Sequence, residues 1–309
     1  MVSPEGRRYL QQLRETPAFG AGGFNLEELR ACMATRREPT DAAVRCVPTE
    51  VCGLPAEWVL APGADPDVRV LYLHGGGYVS GSGAFYLAMT AHISTAAQCA
   101  VLLPDYRLAP EHPFPAGLED CLRAYQWLLA NGPAGPSPAT AVYIAGDSAG
   151  GGLTLASLLA LRDRKLPLPK AGIALSPFAD VTLSGESIRS EAELDPIMHP
   201  RCLPDFVTRY APESEVHNPL ASPLFGDYTG LPPLLIQVGE HEIIRDDAVR
   251  VAEKARAEGV DVTLEVWEGM FHVFQSHEPL LPEAREAVQH MADLIEKKGH
   301  HTNFRTPTP

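Results

Sequence analysis

Short runs of β-branched and aliphatic residues alternate along this chain with longer stretches of helical periodicity. VRVLYLHGG (68–76), AVLLPDY (100–106), AVYIAGDS (141–148), AGIALSP (171–177), LLIQVGE (234–240) and VTLEVWEG (262–269) read as strands. Apolar runs of this length suit strands covered by helices on both faces. Helical patterns fall between them at 87–97, 117–130, 149–162, 247–258 and 282–298. The alternation predicts an α/β fold with a mostly parallel sheet and right-handed crossovers. Segments near 43–49 and 56–60 add two antiparallel strands at the start, for eight in all.

Two regions break the alternation. Residues 1–42 look helical and amphipathic, and residues 178–217 are too long for a plain connection between strands. Both are expected to cover one end of the sheet as a cap. The catalytic domain is then 43–177 with 218–298, and the polar tail 299–309 is expected to be disordered.

Charge and cysteine usage narrow the partners. A net charge of −14 argues against nucleic acid and anionic membranes, and no apolar run is long enough for membrane insertion. The six cysteines form no CxxC pair, and no apolar leader opens the chain. They are read as reduced thiols of a cytoplasmic protein. Neither a metal nor a cofactor is expected.

The candidate chemistry sits at strand ends. GDSAG (146–150) fits G-x-S-x-G directly after a predicted strand and opens a predicted helix. Such a turn crowds the backbone and projects the Ser148 hydroxyl above the sheet edge. HGGGYVSGS (74–82) follows another strand. Acyl transfer builds charge on a carbonyl oxygen, and glycines let backbone N–H groups approach it. Gly75, Gly76 and Ala149 are the expected donors of an oxyanion hole. His74 and Asp147 are expected to brace them. A phosphate cradle is disfavoured, since GxxxxGK[ST] is absent.

A serine nucleophile needs a base and an orienting acid. Of the eleven histidines, His272 in EGMFHVF lies just past the last predicted strand. EHEIIRDD (240–247) offers carboxylates past another strand, and Glu242 is placed to face His272, while Asp246 and Asp247 run into the next helix. Asp195 in ELDPIM is the rival acid.

HGGGYVSGS, DYRLAPEHPFPAGLED, GDSAGG and the later acid and histidine, in that order, resemble the hormone-sensitive lipase family of carboxylesterases, an α/β-hydrolase group. The resemblance runs from about residue 55 to 298. It implies Ser148 as nucleophile, Glu242 as acid and His272 as base of a catalytic triad, with the same oxyanion hole. It implies hydrolysis of short-chain carboxylic esters through an acyl-enzyme. The acid is Glu where the family commonly has Asp, and Gly152 stands where the family's GDSAGGN has Asn. Asp105, Arg107 and Glu111 are expected to form one buried network behind the glycine loop. Tyr78, Phe19, Phe24, Phe206, Tyr210, Phe271 and Phe274 are candidate pocket residues. The last strand, lying at a sheet edge, is expected to mediate a homodimer. The alternatives are a non-catalytic small-molecule receptor of the same fold, and an amidase, lactonase or acyltransferase with the same triad.

Overall fold

The computed structural model describes residues 2–299 of the chain. The expected disordered tail lies outside the described residues from 300 onward. Eight strands form one sheet: β1 (Arg45–Val51), β2 (Leu54–Leu60), β3 (Asp65–Leu73), β4 (Cys99–Pro104), β5 (Ala141–Asp147), β6 (Gly172–Leu175), β7 (Leu234–Gly239) and β8 (Val262–Trp267). Their spatial order is β1-β2-β4-β3-β5-β6-β7-β8. β2 pairs antiparallel with β1 and β4, and the other pairings are parallel. The two early segments are therefore strands, as expected.

The central strands β4, β5 and β7 are buried at every position, which is why their sequences are apolar without alternation. Helices α4 (Ala116–Leu128), α5 (Ala149–Asp163) and α8 (Arg245–Ala257) pack into one core cluster against the sheet. Helices α3 (Gly83–Ala97) and α9 (Pro282–Gly299) contribute to a second. β8 closes one edge and is only partly buried.

Helix α3 begins four residues before its apolar pattern does. Asp105 Oδ1 accepts the Gly83 N–H at 2.6 Å and satisfies one of the orphan donors of the first turn. A carboxylate from a distant loop thus extends a helix beyond the reach of local periodicity.

The two segments outside the alternation meet each other. The N-terminal one carries α1 (Pro4–Arg14) and α2 (Leu26–Met33); the later one carries the short α6 (Ser187–Ser190) and α7 (Leu203–Tyr210). Phe19 N–H donates to Ile197 O at 2.7 Å, and His199 N–H donates to Phe19 O at 2.8 Å. Among the described residues no helix is long and apolar enough to cross a membrane.

Candidate active site

Ser148 sits between the end of β5 and the start of α5 with φ 53° and ψ −119°. That backbone is strained for a residue with a Cβ. The flanking glycines are required by space: a Cβ on Gly146 would lie 2.4 Å from Gly150 O, and one on Gly150 would lie 1.9 Å from Leu73 O. The helix can then start directly at the sheet, leaving the N–H groups of its first turn, Ala149 first, without intrahelical acceptors.

His272 follows β8, and Glu242 follows β7. Glu242 Oε2 lies 2.8 Å from His272 Nδ1. With that nitrogen donating, Nε2 is left as the acceptor. Glu242 is fully buried and His272 nearly so. Burial pushes the imidazole down from its ordinary value, but the Glu242 hydrogen bond and charge, helped by Asp195 and Asp147, outweigh it, and the net shift is upward. Ser148 and His272 line one cavity of about 350 Å³.

Ser176, which sequence reading passed over, ties acid and base together. Its Oγ donates to Glu242 Oε1 at 2.7 Å and accepts the Val273 N–H at 3.2 Å. Glu242 Oε1 also accepts the Gly239 N–H. The extra methylene of Glu over Asp is thus held by two fixed donors. Ser176 directly follows the apolar residues of AGIALSP, and its polar character just past a buried strand was the available signal.

Asp195, the rival acid, makes no hydrogen bond to His272. Its Oδ1 accepts the N–H groups of Ile197 (2.8 Å) and Met198 (3.0 Å), and its Oδ2 accepts that of Ile243 (3.0 Å). His241 faces Glu191, with Nδ1 3.5 Å from Oε2. Asp246 and Asp247 lie in the first turn of α8, as expected.

The glycine loop requires a correction. Gly75 does not offer its N–H to the cavity, because Asp147 Oδ1 accepts it at 3.0 Å. Asp147 also accepts the hydroxyls of Tyr72 (3.0 Å) and Tyr86 (2.9 Å). Burial pushes its carboxyl up to about 6, against the pull of those bonds. Gly76 and Gly77 line the cavity instead. Their φ values of 123° and 62° favour glycine, and among the described residues their N–H groups have no protein acceptor. His74 stacks on Tyr106 with centroids 4.2 Å apart, and its Nδ1 lies 2.9 Å from Gly75 O.

Asp105, Arg107 and Glu111 do not form one network. Asp105 caps α3, Arg107 pairs with buried Asp120 at 2.8 Å, and Glu111 pairs with Arg30 at 2.6 Å. Glu111 reaches the glycine loop only through Arg30, whose Nε donates to Val79 O at 2.8 Å and whose Nη2 donates to Ala109 O at 2.8 Å. Spacing along one loop misled here, since each side chain leaves the loop in a different direction.

The aromatic candidates divide. Phe19 and Phe206 line the cavity; Phe24 packs behind them, 5.2 Å edge-on to Phe206. Tyr78 and Tyr210 do not line it: they stack on each other at 3.7 Å, and the Tyr78 hydroxyl donates to Phe178 O at 2.6 Å. Phe271 and Phe274 also fall outside the lining, fully buried in a cluster with Leu10, Met270 and Leu281. Flanking His272 in sequence turns them into the core under the loop. Cavity residues the sequence did not mark include Met33, Arg37, Tyr86, Met198 and His277. They come from four separate segments, so no local pattern joins them.

The family profile described as alpha/beta hydrolase fold matches residues 70–276. The chain is 43% identical over 234 residues to an acetyl-hydrolase of Streptomyces hygroscopicus, covering 76% of this chain and 77% of that one. It is 33% identical to an esterase of Acinetobacter venetianus, covering 83% of each. Among solved structures it superposes on EstE5, in a crystal soaked with p-nitrophenyl butyrate, with TM-score 0.89 and 40% identity over 96% of this chain and 99% of that one. It also superposes on an esterase from the bacterial hormone-sensitive lipase family, with TM-score 0.85 and 42% identity over 96% and 99%. The chain belongs to the alpha/beta hydrolase family. Within it, the chain is a member of the hormone-sensitive lipase-like group of esterases.

Proposed function

We propose that this protein is a serine carboxylesterase that hydrolyses short-chain esters through an acyl-enzyme. The observation that carries the reading is the buried Glu242–His272 hydrogen bond at 2.8 Å beside a cavity that also contains Ser148 on its strained turn.

His272 Nε2 takes the Ser148 proton as Oγ attacks the ester carbonyl. The carbonyl π electrons move to oxygen, and the oxyanion rests on the N–H groups of Gly76, Gly77 and Ala149. Collapse breaks the C–O bond to the alcohol, which leaves with the proton from His272. Water then gives a proton to His272, attacks the acyl-enzyme through the same kind of intermediate, and Ser148 regains its hydrogen. Glu242 holds the imidazole and offsets its transient charge. Asp147 and His74 support the loop that presents Gly76 and Gly77.

Short acyl groups are supported by the cavity volume of about 350 Å³ and by Phe206, which lies directly over Gly77. Segments 1–42 and 178–217 act as the cap, supported by the Phe19, Ile197 and His199 hydrogen bonds and by the cavity walls they supply. A homodimer through β8 is supported by its edge position and the exposed Val266. A cytoplasmic location is supported by the cysteines, since Cys32, Cys46, Cys52, Cys99, Cys121 and Cys202 are all free thiols.

Hydrolysis of p-nitrophenyl esters from acetate to palmitate tests the reading, with Ser148→Ala alongside. Activity is expected at short chains and absent in the variant. A rate that climbs toward palmitate, or that survives Ser148→Ala, would overturn it.

A further inference from the structure

The walls of this cavity are chemically uneven. Phe19, Ile197, Met198, Leu203, Phe206 and Ile244 contribute apolar side chains. Arg37 adds a positive charge to the lining. Its backbone is tied to α3: Arg37 N–H donates to Ala84 O at 2.9 Å and Ala88 N–H donates to Arg37 O at 3.1 Å. Its guanidinium lies over the Phe85 ring, with Cζ 3.6 Å from the ring centroid. Stacking of this kind orients the planar group and leaves its N–H edge free for an anion. Among the described residues no carboxylate pairs with it and its side chain donates no hydrogen bond.

Arg37 is exposed, so its guanidinium stands where the cavity meets solvent and is open to an incoming anion. The other charged wall residue, Asp147, already has its oxygens occupied by Gly75, Tyr72 and Tyr86. The Arg37 charge is felt inside the cavity. Burial pushes the Tyr86 hydroxyl up and Arg37 works against it; burial pushes His277 down to about 4 and Arg37 adds to the shift. His277 is therefore neutral near pH 7, with Nδ1 3.0 Å from the Tyr9 hydroxyl. With Tyr9 donating, the imidazole keeps its proton on Nε2, a second donor in the same wall.

Resting on the carboxylesterase reading, we propose that Arg37 is a specificity residue and that the preferred esters carry a carboxylate, which pairs with the guanidinium while the ester carbonyl sits at Ser148. The carboxylate can belong to the acyl part, as in a dicarboxylic half-ester, or to the alcohol part, as in an acylated hydroxy acid.

Two matched pairs test this. Monoethyl succinate is compared with ethyl butyrate, and 3-acetoxypropanoate with propyl acetate, each by kcat/KM. In one pair the ratio of charged to neutral ester is expected to exceed one in the wild type. It should fall about tenfold in Arg37→Gln, recover in part in Arg37→Lys, and shrink in about 0.5 M salt. The pair that responds identifies which part carries the charge. A ratio unmoved by Arg37→Gln in both pairs would overturn the proposal while leaving the esterase reading intact. Failure of the wild type on all four esters would overturn both. Neutral-ester turnover by Arg37→Gln shows that the variant is folded.

Discussion

Asp195 Oδ2 accepts the backbone N–H of Ile243 at 3.0 Å, one residue beyond Glu242. Its other oxygen holds Ile197 and Met198, so one buried carboxylate joins a cavity wall to the loop that carries the acid. Its charge also helps Glu242 to raise the His272 pKa against the opposing effect of burial. Asp195→Asn retains the shape but presents an N–H₂ group to at least one of three N–H donors. A loss of about tenfold in kcat/KM is expected. The acid limb of the pH profile should move to lower pH as the charge is removed. An unchanged limb would reduce Asp195 to a packing role.

The same carboxylate has a signature in stability. Burial pushes Asp195 up from 3.8 to about 6, against the three N–H bonds and His272. A folded pKa above the unfolded one means that the folded state binds the extra proton. This contribution is fully present below about 3.8 and is lost as pH rises through about 6. The melting temperature of the wild type relative to Asp195→Asn should therefore improve as pH falls from about 7 to about 4.5. Parallel curves for the two proteins would contradict the shift.

Glu242→Gln should be far more costly for turnover. The variant keeps an oxygen for one contact but must turn N–H₂ toward His272 or toward the Ser176 and Gly239 donors. Loss of the orienting charge in comparable triads lowers kcat by on the order of 10⁴-fold. The His272 pKa should also drop, because the Glu242 bond and charge are what raise it against burial. The acid limb of kcat/KM then moves down in pH. Full activity would remove Glu242 from the mechanism.

Much of this arrangement was legible before folding. The strand–turn–helix context of GDSAG placed Ser148, and strand ends placed Glu242 and His272, because parallel strands deliver their C-terminal loops to one edge. The glycine run located the loop but not its donors. Which N–H is free depends on where the Asp147 carboxylate turns, a tertiary contact between β5 and β3. Gly152 is similar. A Cβ there would lie 2.2 Å from the Tyr78 hydroxyl and 2.3 Å from Phe178 O, so this glycine makes room for the Tyr78–Phe178 bond. The sequence showed the departure from Asn but not its partner. Phe271 and Phe274 failed because adjacency to His272 says nothing of the side on which a loop residue packs.

Gly77 and Phe206 provide the most direct test of the proposed oxyanion hole. An ideal Cβ on Gly77 would lie 2.3 Å from Phe206 Cδ1, and the φ of 62° adds strain for any side chain. Gly77→Ala must push the ring or the loop aside. Displacing one oxyanion donor costs about 10²–10³-fold in kcat. Phe206→Ala removes the obstruction and opens the wall over the loop, so its acyl-chain preference should shift to longer esters. It should also lose about 3–5 kcal/mol of stability, since the ring packs on Phe19 and Phe24. In Gly77→Ala/Phe206→Ala the clash is gone while the backbone strain remains. The double variant should therefore recover part of the kcat lost by Gly77→Ala, a positive coupling in a double-mutant cycle. Strict additivity would mean that Phe206 does not confine the Gly77 backbone. A Gly77→Ala protein with wild-type kcat would return the donor role to the rest of the loop.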